Sequence, residues 1–199
     1  MSIIDLHVHT KYSACSNTEI HDLLSTISLL KIDGIVITDH NEIKGAKIAQ
    51  KFAQGYDVKV FLGIEISTLD GQLLAYGIDE KLPLGLRAID AIKQIHKKGG
   101  VVVAPHPFRN VHGSLGDMVY TLGDTLDGIE AVNAIDNKSI KDHARSAALQ
   151  LNIAITGGSD AHSLKCVGRV ATKFETAVES IDDITRAIRK KQCQPYISF

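Results

Sequence analysis

Short apolar runs rich in β-branched residues recur along this chain, and most are followed by a stretch in which apolar residues return every 3.6 positions. Residues 3–8 (IIDLHV) form the first expected strand, after which Thr18 and Glu19 open a helix with the apolar stripe Ile20, Leu23, Leu24, Ile27 and Leu30. GIVITDH reads as a buried strand, residues 42–52 as a helix and VKVFLGIEIS as a third strand. Asp70-Gly71 then marks a hairpin turn into QLLAYGI. A helix over 86–97, ended by Gly99-Gly100, leads into VVVAPHP, and the strands DGIEAVN and NIAITGGSDAH flank a helix near 139–151. GRVATKF follows, then a helix with Ser180 at its N-cap and Asp183 three residues on, and a terminal extended segment.

Strict alternation of strand and helix means parallel strands covered by helices. About seven such units in 199 residues predict a distorted (β/α)7 TIM-like barrel, with an open doubly wound sheet as the alternative. No G-x-G-x-x-G follows the first strand, which removes the usual mark of a dinucleotide site.

The polar residues fall at one end of these strands. His7 and His9 close the first, Asp39 and His40 the second and Glu65 the third, while His106, Asp160 and His162 follow later ones. In β/α barrels the loops at the C-terminal strand ends converge on the axis, so the pattern brings histidines and carboxylates to one rim. His7 and His9 are two apart in a strand and share a face. Taken alone they could decorate an edge strand, but the whole cluster would be costly without compensation, and divalent cations supply it. His21, His96 and His143 lie in helical patterns and read as surface or capping residues, whereas His112, in the loop after His106, is placed to reach a substrate. Asp5 reads as structural, and Asp39 as a support for His40. Arg109 and Arg169 are either anchors for phosphate or solvated surface charges.

Composition narrows the partners. Apolar residues make up 44% and charged residues 23%, as in an ordinary single globular domain, here spanning 1–199. A net charge of −1 without a basic block gives no support for a polynucleotide partner, and 5% aromatics offer no stacking platform. A small phosphorylated substrate in a compact pocket is the expectation. The first charged residue, Asp5, rules out a basic signal-peptide start, and no apolar run approaches the ~20 residues of a membrane span. Cys15, Cys166 and Cys193 show no C-x-x-C spacing, which fits a reducing, cytoplasmic setting.

DLHVHT, ITDHN, GIEIS, APHPF and GSDAH resemble, in order and spacing, the signature motifs of the PHP (polymerase and histidinol phosphatase) family. The resemblance covers Asp5 to His162 and implies a distorted (β/α)7 barrel that hydrolyses phosphoesters with two or three divalent ions, Zn, Mn or Fe. It makes His7, His9, Glu65 and Asp160 ligands of a first ion, with Glu65 bridging to a second ion bound by His106 and a third held by His40 and His162. His7, His9, Glu65, Asp160 and His106 are the catalytic set on this reading. Two positions depart from the family pattern. YSACSN places Cys15 where relatives often carry a histidine or aspartate, so Cys15 is either a substitute ligand or a passive loop residue. Gln72 stands where many relatives have a histidine for the second ion. An amidohydrolase-type barrel, which also begins with H-x-H, and a non-catalytic barrel serving an RNA-processing complex are the alternatives.

Overall fold

A computed structural model describes residues 1–110 and 113–198. Nine strands make one sheet: β1 (Ser2–Val8), β2 (Gly34–Ile37), β3 (Lys59–Ser67), β4 (Gln72–Tyr76), β5 (Val101–Ala104), β6 (Gly128–Asn133), β7 (Ala154–Gly158), β8 (Val170–Phe174) and β9 (Cys193–Ile197). The helices are α1 (Ile20–Ile27), α2 (Lys44–Phe52), α3 (Ala88–Lys97), α4 (Met118–Leu122), α5 (Lys138–Leu151) and α6 (Ile181–Arg189). The short α4 is absent from the periodicity, and Leu30 lies beyond the end of α1 rather than on its stripe. Ser180 and Asp183 form the reciprocal capping box that opens α6. Among the described residues no helix is long and apolar enough to cross a membrane.

The strand order is β7-β6-β5-β4-β3-β2-β1-β8-β9. β1, β2 and β3 are parallel, and so are β5, β6 and β7. The hairpin expected at Asp70-Gly71 is present, and the parallel order expected of the other strands fails at β8 and β9. β4 returns directly from β3 across Asp70-Gly71, too short a link for a crossover, so it runs antiparallel to β3 and to β5. Between β7 and β8 the chain makes only a 3-10 turn (Leu164–Cys166), too short for a crossover, so β8 lies antiparallel to β1; β9, which follows α6, lies antiparallel to β8. The sheet curls until its margins meet. His9 N–H donates to Ala161 O at 2.9 Å, and Thr172 Oγ1 donates to Gly157 O at 2.7 Å while accepting from Gly157 N–H. The result is the distorted, nearly closed TIM-like barrel expected from the alternation.

Two apolar layers follow from the strand alternation. Ile35, Ile37, Val60, Leu62, Ile64, Val102 and Ile129 pack outward against α1, α2, α3 and α5. Ile4, Leu6, Val36, Phe61, Leu74, Tyr76, Val101 and Val103 form the second cluster, the barrel interior, with Ile184, Ala187 and Ile188 of α6 plugging its lower end. The inward parity of β1 then changes. Ile4 and Leu6 point inward, the pairing with β2 slips between Asp5 and Val8, and beyond the slip His7 and His9 take the inward positions. A second slip, between Glu130 and Val132, lies beside the same rim. Irregularities of this kind re-aim side chains next to active sites.

Tyr76 ties the interior together. It is fully buried, and its hydroxyl donates to Leu6 O at 3.0 Å, joining β4 to β1. Tyr76→Phe should lower the unfolding free energy by about 1 kcal/mol in urea titrations while leaving the rim unchanged. A neutral outcome would mean the bond contributes nothing to barrel closure.

Candidate metal centre

Six strand ends build the site. β1 supplies His7 and His9, with ring centroids 5.1 Å apart, and β3 supplies Glu65. The turns after β2, β5 and β7 supply His40, His106, Asp160 and His162, and β6 adds Glu130. His106 and Asp160 adopt φ of +30° and +52°, a conformation that costs L residues on the order of 1–3 kcal/mol and persists only where the surroundings dictate it. Glu130 dictates one of them, its Oε2 accepting His106 N–H at 3.0 Å.

The donor atoms converge on a small volume. His7 Nε2 lies 3.1 Å from His9 Nε2, and the two approach Glu65 Oε2 at 3.4 and 3.2 Å and Asp160 Oδ1 at 3.4 and 3.5 Å. His106 Nε2 faces Glu65 Oε1 at 3.4 Å, and His40 Nδ1 faces Glu65 Oε2 at 3.0 Å. Four donors at the ~2.0–2.1 Å of zinc–nitrogen and zinc–oxygen bonds stand roughly 3.3 Å apart at the corners of a tetrahedron, the spacing seen here. Donor atoms within 4.8 Å of one another form three groups: His7, His9 and Asp160; His7, Glu65 and His106; and His9, Cys15, His40 and His162.

The outward nitrogens fix which atoms face the cluster. His7 Nδ1 lies 3.0 Å from Glu130 Oε1, and a carboxylate accepts, so this nitrogen holds a proton and Nε2 is the atom that faces the cluster. Ser13 Oγ donates to Asp39 Oδ1 at 2.8 Å and so accepts from His9 Nδ1 at 3.1 Å, which turns His9 Nε2 to the cluster as well. His162 Nδ1 donates to Asp160 O at 2.9 Å. Two ring nitrogens facing each other beside two carboxylates need positive charge between them, which a proton or a metal ion supplies. Both oxygens of Glu65, a residue only 1% exposed, also lack a hydrogen-bond partner among the described residues. The arrangement fits divalent ions.

The charges agree. Burial disfavours ionised Glu65, yet the His7, His106 and His9 imidazoles outweigh it and hold the carboxyl well below the usual range. Asp160, also penalised by burial, is held low chiefly by His7 and His9. Burial would lower His7, but Glu130, Asp160 and Glu65 raise it well above the ordinary imidazole value. Burial lowers His40 and His162, which makes them neutral nitrogen donors.

Several expected residues fall elsewhere. Arg169 is exposed and donates to Lys165 O, touching none of the cluster, because the turn before β8 carries it away from the rim. His112 lies outside the described residues. Asp39 does not contact the His40 ring; its oxygens are taken by Thr10 and by Ser13, through which it holds His9. Asp5 accepts the N–H groups of His7, Ser159 and Gly168, as a structural carboxylate does, while burial pushes its pKa up to about 6. Gln72 Nε2 sits 3.4 Å from His40 Nδ1. Arg109 reaches the rim: Nη1 donates to Asp160 Oδ2 at 2.9 Å and Nε to Asp136 Oδ1 at 2.7 Å, while Nη2 is buried without a partner among the described residues.

Glu130, Ser13 and Asp136 do not emerge from sequence reasoning alone. For Glu130 a signal existed: a carboxylate in the otherwise apolar strand DGIEAVN is costly unless paired.

Known proteins share this fold. Residues 141–193 match the family described as PHP-associated. An uncharacterized protein of Methanocaldococcus jannaschii is 34% identical over 146 residues, 68% of this chain and 84% of that one. PsfC from Pseudomonas syringae superposes with a TM-score of 0.76 at 21% identity, over 99% of this chain and 91% of that one. A two-domain protein of Bacteroides vulgatus, containing a predicted PHP-like metal-dependent phosphoesterase, gives 0.78 at 18% identity, over 98% of this chain and 64% of that one. An amidohydrolase from Chromobacterium violaceum gives 0.67 at 15%, over 80% of this chain and 87% of that one. With its ordered histidine and carboxylate motifs on a distorted barrel of the kind seen in a PHP-like phosphoesterase, and its PHP-associated segment, the chain belongs to the PHP family.

Proposed function

We propose that this chain is a metal-dependent phosphoesterase acting on a small phosphorylated substrate. The observation that carries the reading is the pair of converging imidazole nitrogens, His7 Nε2 and His9 Nε2, 3.1 Å apart against oxygens of Glu65 that have no hydrogen-bond partner among the described residues. His7, His9, Asp160 and Glu65 would hold a first ion, Glu65 and His106 a second, and His40 and His162 a third. Such ions, when bound, supply Lewis acidity for phosphoryl oxygens and lower the pKa of water from 15.7 toward ~7.

The remaining residues orient this centre. Glu130 holds the His7 ring and the His106 backbone with its two oxygens, and Ser13 relays Asp39 to His9. Arg109 keeps Asp160 Oδ2 engaged, which leaves Oδ1 turned toward His7 and His9. Its Nη2, buried and without a partner among the described residues, adds positive charge at the rim that would attract a phosphate. Amide or ester cleavage, as in an amidohydrolase, is the second reading, favoured by the structural likeness to that enzyme of Chromobacterium violaceum.

A panel of phosphomonoesters, phosphodiesters and amides separates the two. Phosphoester turnover that disappears in His7→Ala and Asp160→Ala, with the fold retained by circular dichroism and His143→Ala near full activity, is the expected result. Amide turnover alone, or full activity in His7→Ala, would overturn the assignment.

Ion uptake should also depend on pH. The carboxylates raise His7 above its ordinary pKa, so its proton competes with a cation, and binding releases that proton. Affinity should therefore rise with pH, and calorimetry in buffers of different ionisation enthalpy should detect proton release. Uptake without proton release would contradict the His7 ligand role.

A further inference from the structure

Cys15 is exposed on the loop between β1 and α1, yet its sulfur belongs to the group of donor atoms, with His9, His40 and His162, that lie within 4.8 Å of one another. The residues around it hold it there. Ser13, two before Cys15, accepts the His40 backbone N–H at 3.0 Å. Ser16, the next residue, directs its hydroxyl to His162 O and His9 O, each at 3.3 Å. The cysteine loop is thus tied to the backbones of the other three donors. A separate feature points to an ion at this place. Buried Glu65 Oε2, without a hydrogen-bond partner among the described residues, is aimed at His40 Nδ1 at 3.0 Å.

Resting on the metal-centre reading above, we propose that Cys15 is a thiolate ligand, together with His40 and His162, of the outermost ion of the cluster. His9 Nε2 is turned toward His7, Glu65 and Asp160, so Cys15, His40 and His162 would hold the outer ion, with Glu65 Oε2 beside His40. The chemistry of the donors then separates the sites. Imidazole and carboxylate alone surround the inner positions, which accept Mn2+ as well as Zn2+. A sulfur donor favours Zn2+, Co2+ or Fe2+ at the outer position over Mn2+ or Mg2+. The centre is therefore built to hold chemically different ions, with the softest at its mouth.

Cobalt tests this without an activity assay. Apo-protein reconstituted with Co2+ should show a thiolate-to-cobalt charge-transfer band in the near ultraviolet. Cys15→Ala should lose that band and bind its last cobalt at least about tenfold more weakly, as expected when a group supporting a metal site is removed. The visible bands of the inner cobalt should persist. In the unmutated protein, saturating Zn2+ should slow alkylation of Cys15 by iodoacetamide, followed by peptide mass mapping, by at least about tenfold. Full cobalt loading without the band, a band that survives Cys15→Ala, or equal alkylation rates with and without zinc would overturn the Cys15 assignment and leave the inner centre standing. Failure of the unmutated protein to bind any cobalt would overturn the metal-centre reading, and this inference with it.

Discussion

Two imidazole nitrogens that face one another across 3.1 Å are the constraint on which this structure turns. Bare lone pairs at that distance would repel, so the pair needs a proton or a metal ion between them, and the flanking carboxylates favour either. The protein enforces the arrangement from outside. Glu130 takes the outer proton of His7, and Asp39, through Ser13, fixes that of His9. The buried partners of the imidazoles therefore choose the donor atoms before any ion arrives, which is how outer hydrogen bonds tune a metal site.

The barrel makes this crowding possible. A regular β1 would keep one parity inward along its length, and Ile4 and Leu6 would oblige His7 and His9 to face the helices. The slip in pairing between Asp5 and Val8 reverses the parity where the chemistry begins. The lower half of the barrel is then a sealed apolar plug, closed by α6, and the upper half is polar. Positive φ at His106 and Asp160 completes the turn toward the axis, a local cost offset by the rest of the fold.

Much of this was legible in the order of residues. Strand-then-helix periodicity named most elements, and histidines or carboxylates at strand ends named the cluster, because both signals are local. What was not legible depends on contacts distant in sequence. β8 reverses because residues 159–169 hold no crossover helix, a matter of connection rather than of periodicity. Asp39 follows its strand immediately before His40, yet it serves His9 through a serine from another loop. Arg109 and Arg169 look alike in the sequence; one is gripped by Asp136 and Asp160, and the other turns away to Lys165. Glu130 shows how a missed residue can be found: a charge inside a buried strand needs a partner, and its partner is His7.

The most direct test of the account is elemental analysis of protein purified without added metal or chelator. Two or three transition-metal ions per chain, falling in Glu65→Ala, which removes the carboxylate facing His7, His9, His40 and His106, is the predicted result. No bound metal, even after reconstitution with zinc and manganese, would contradict it and leave the facing imidazoles to be explained by protons alone.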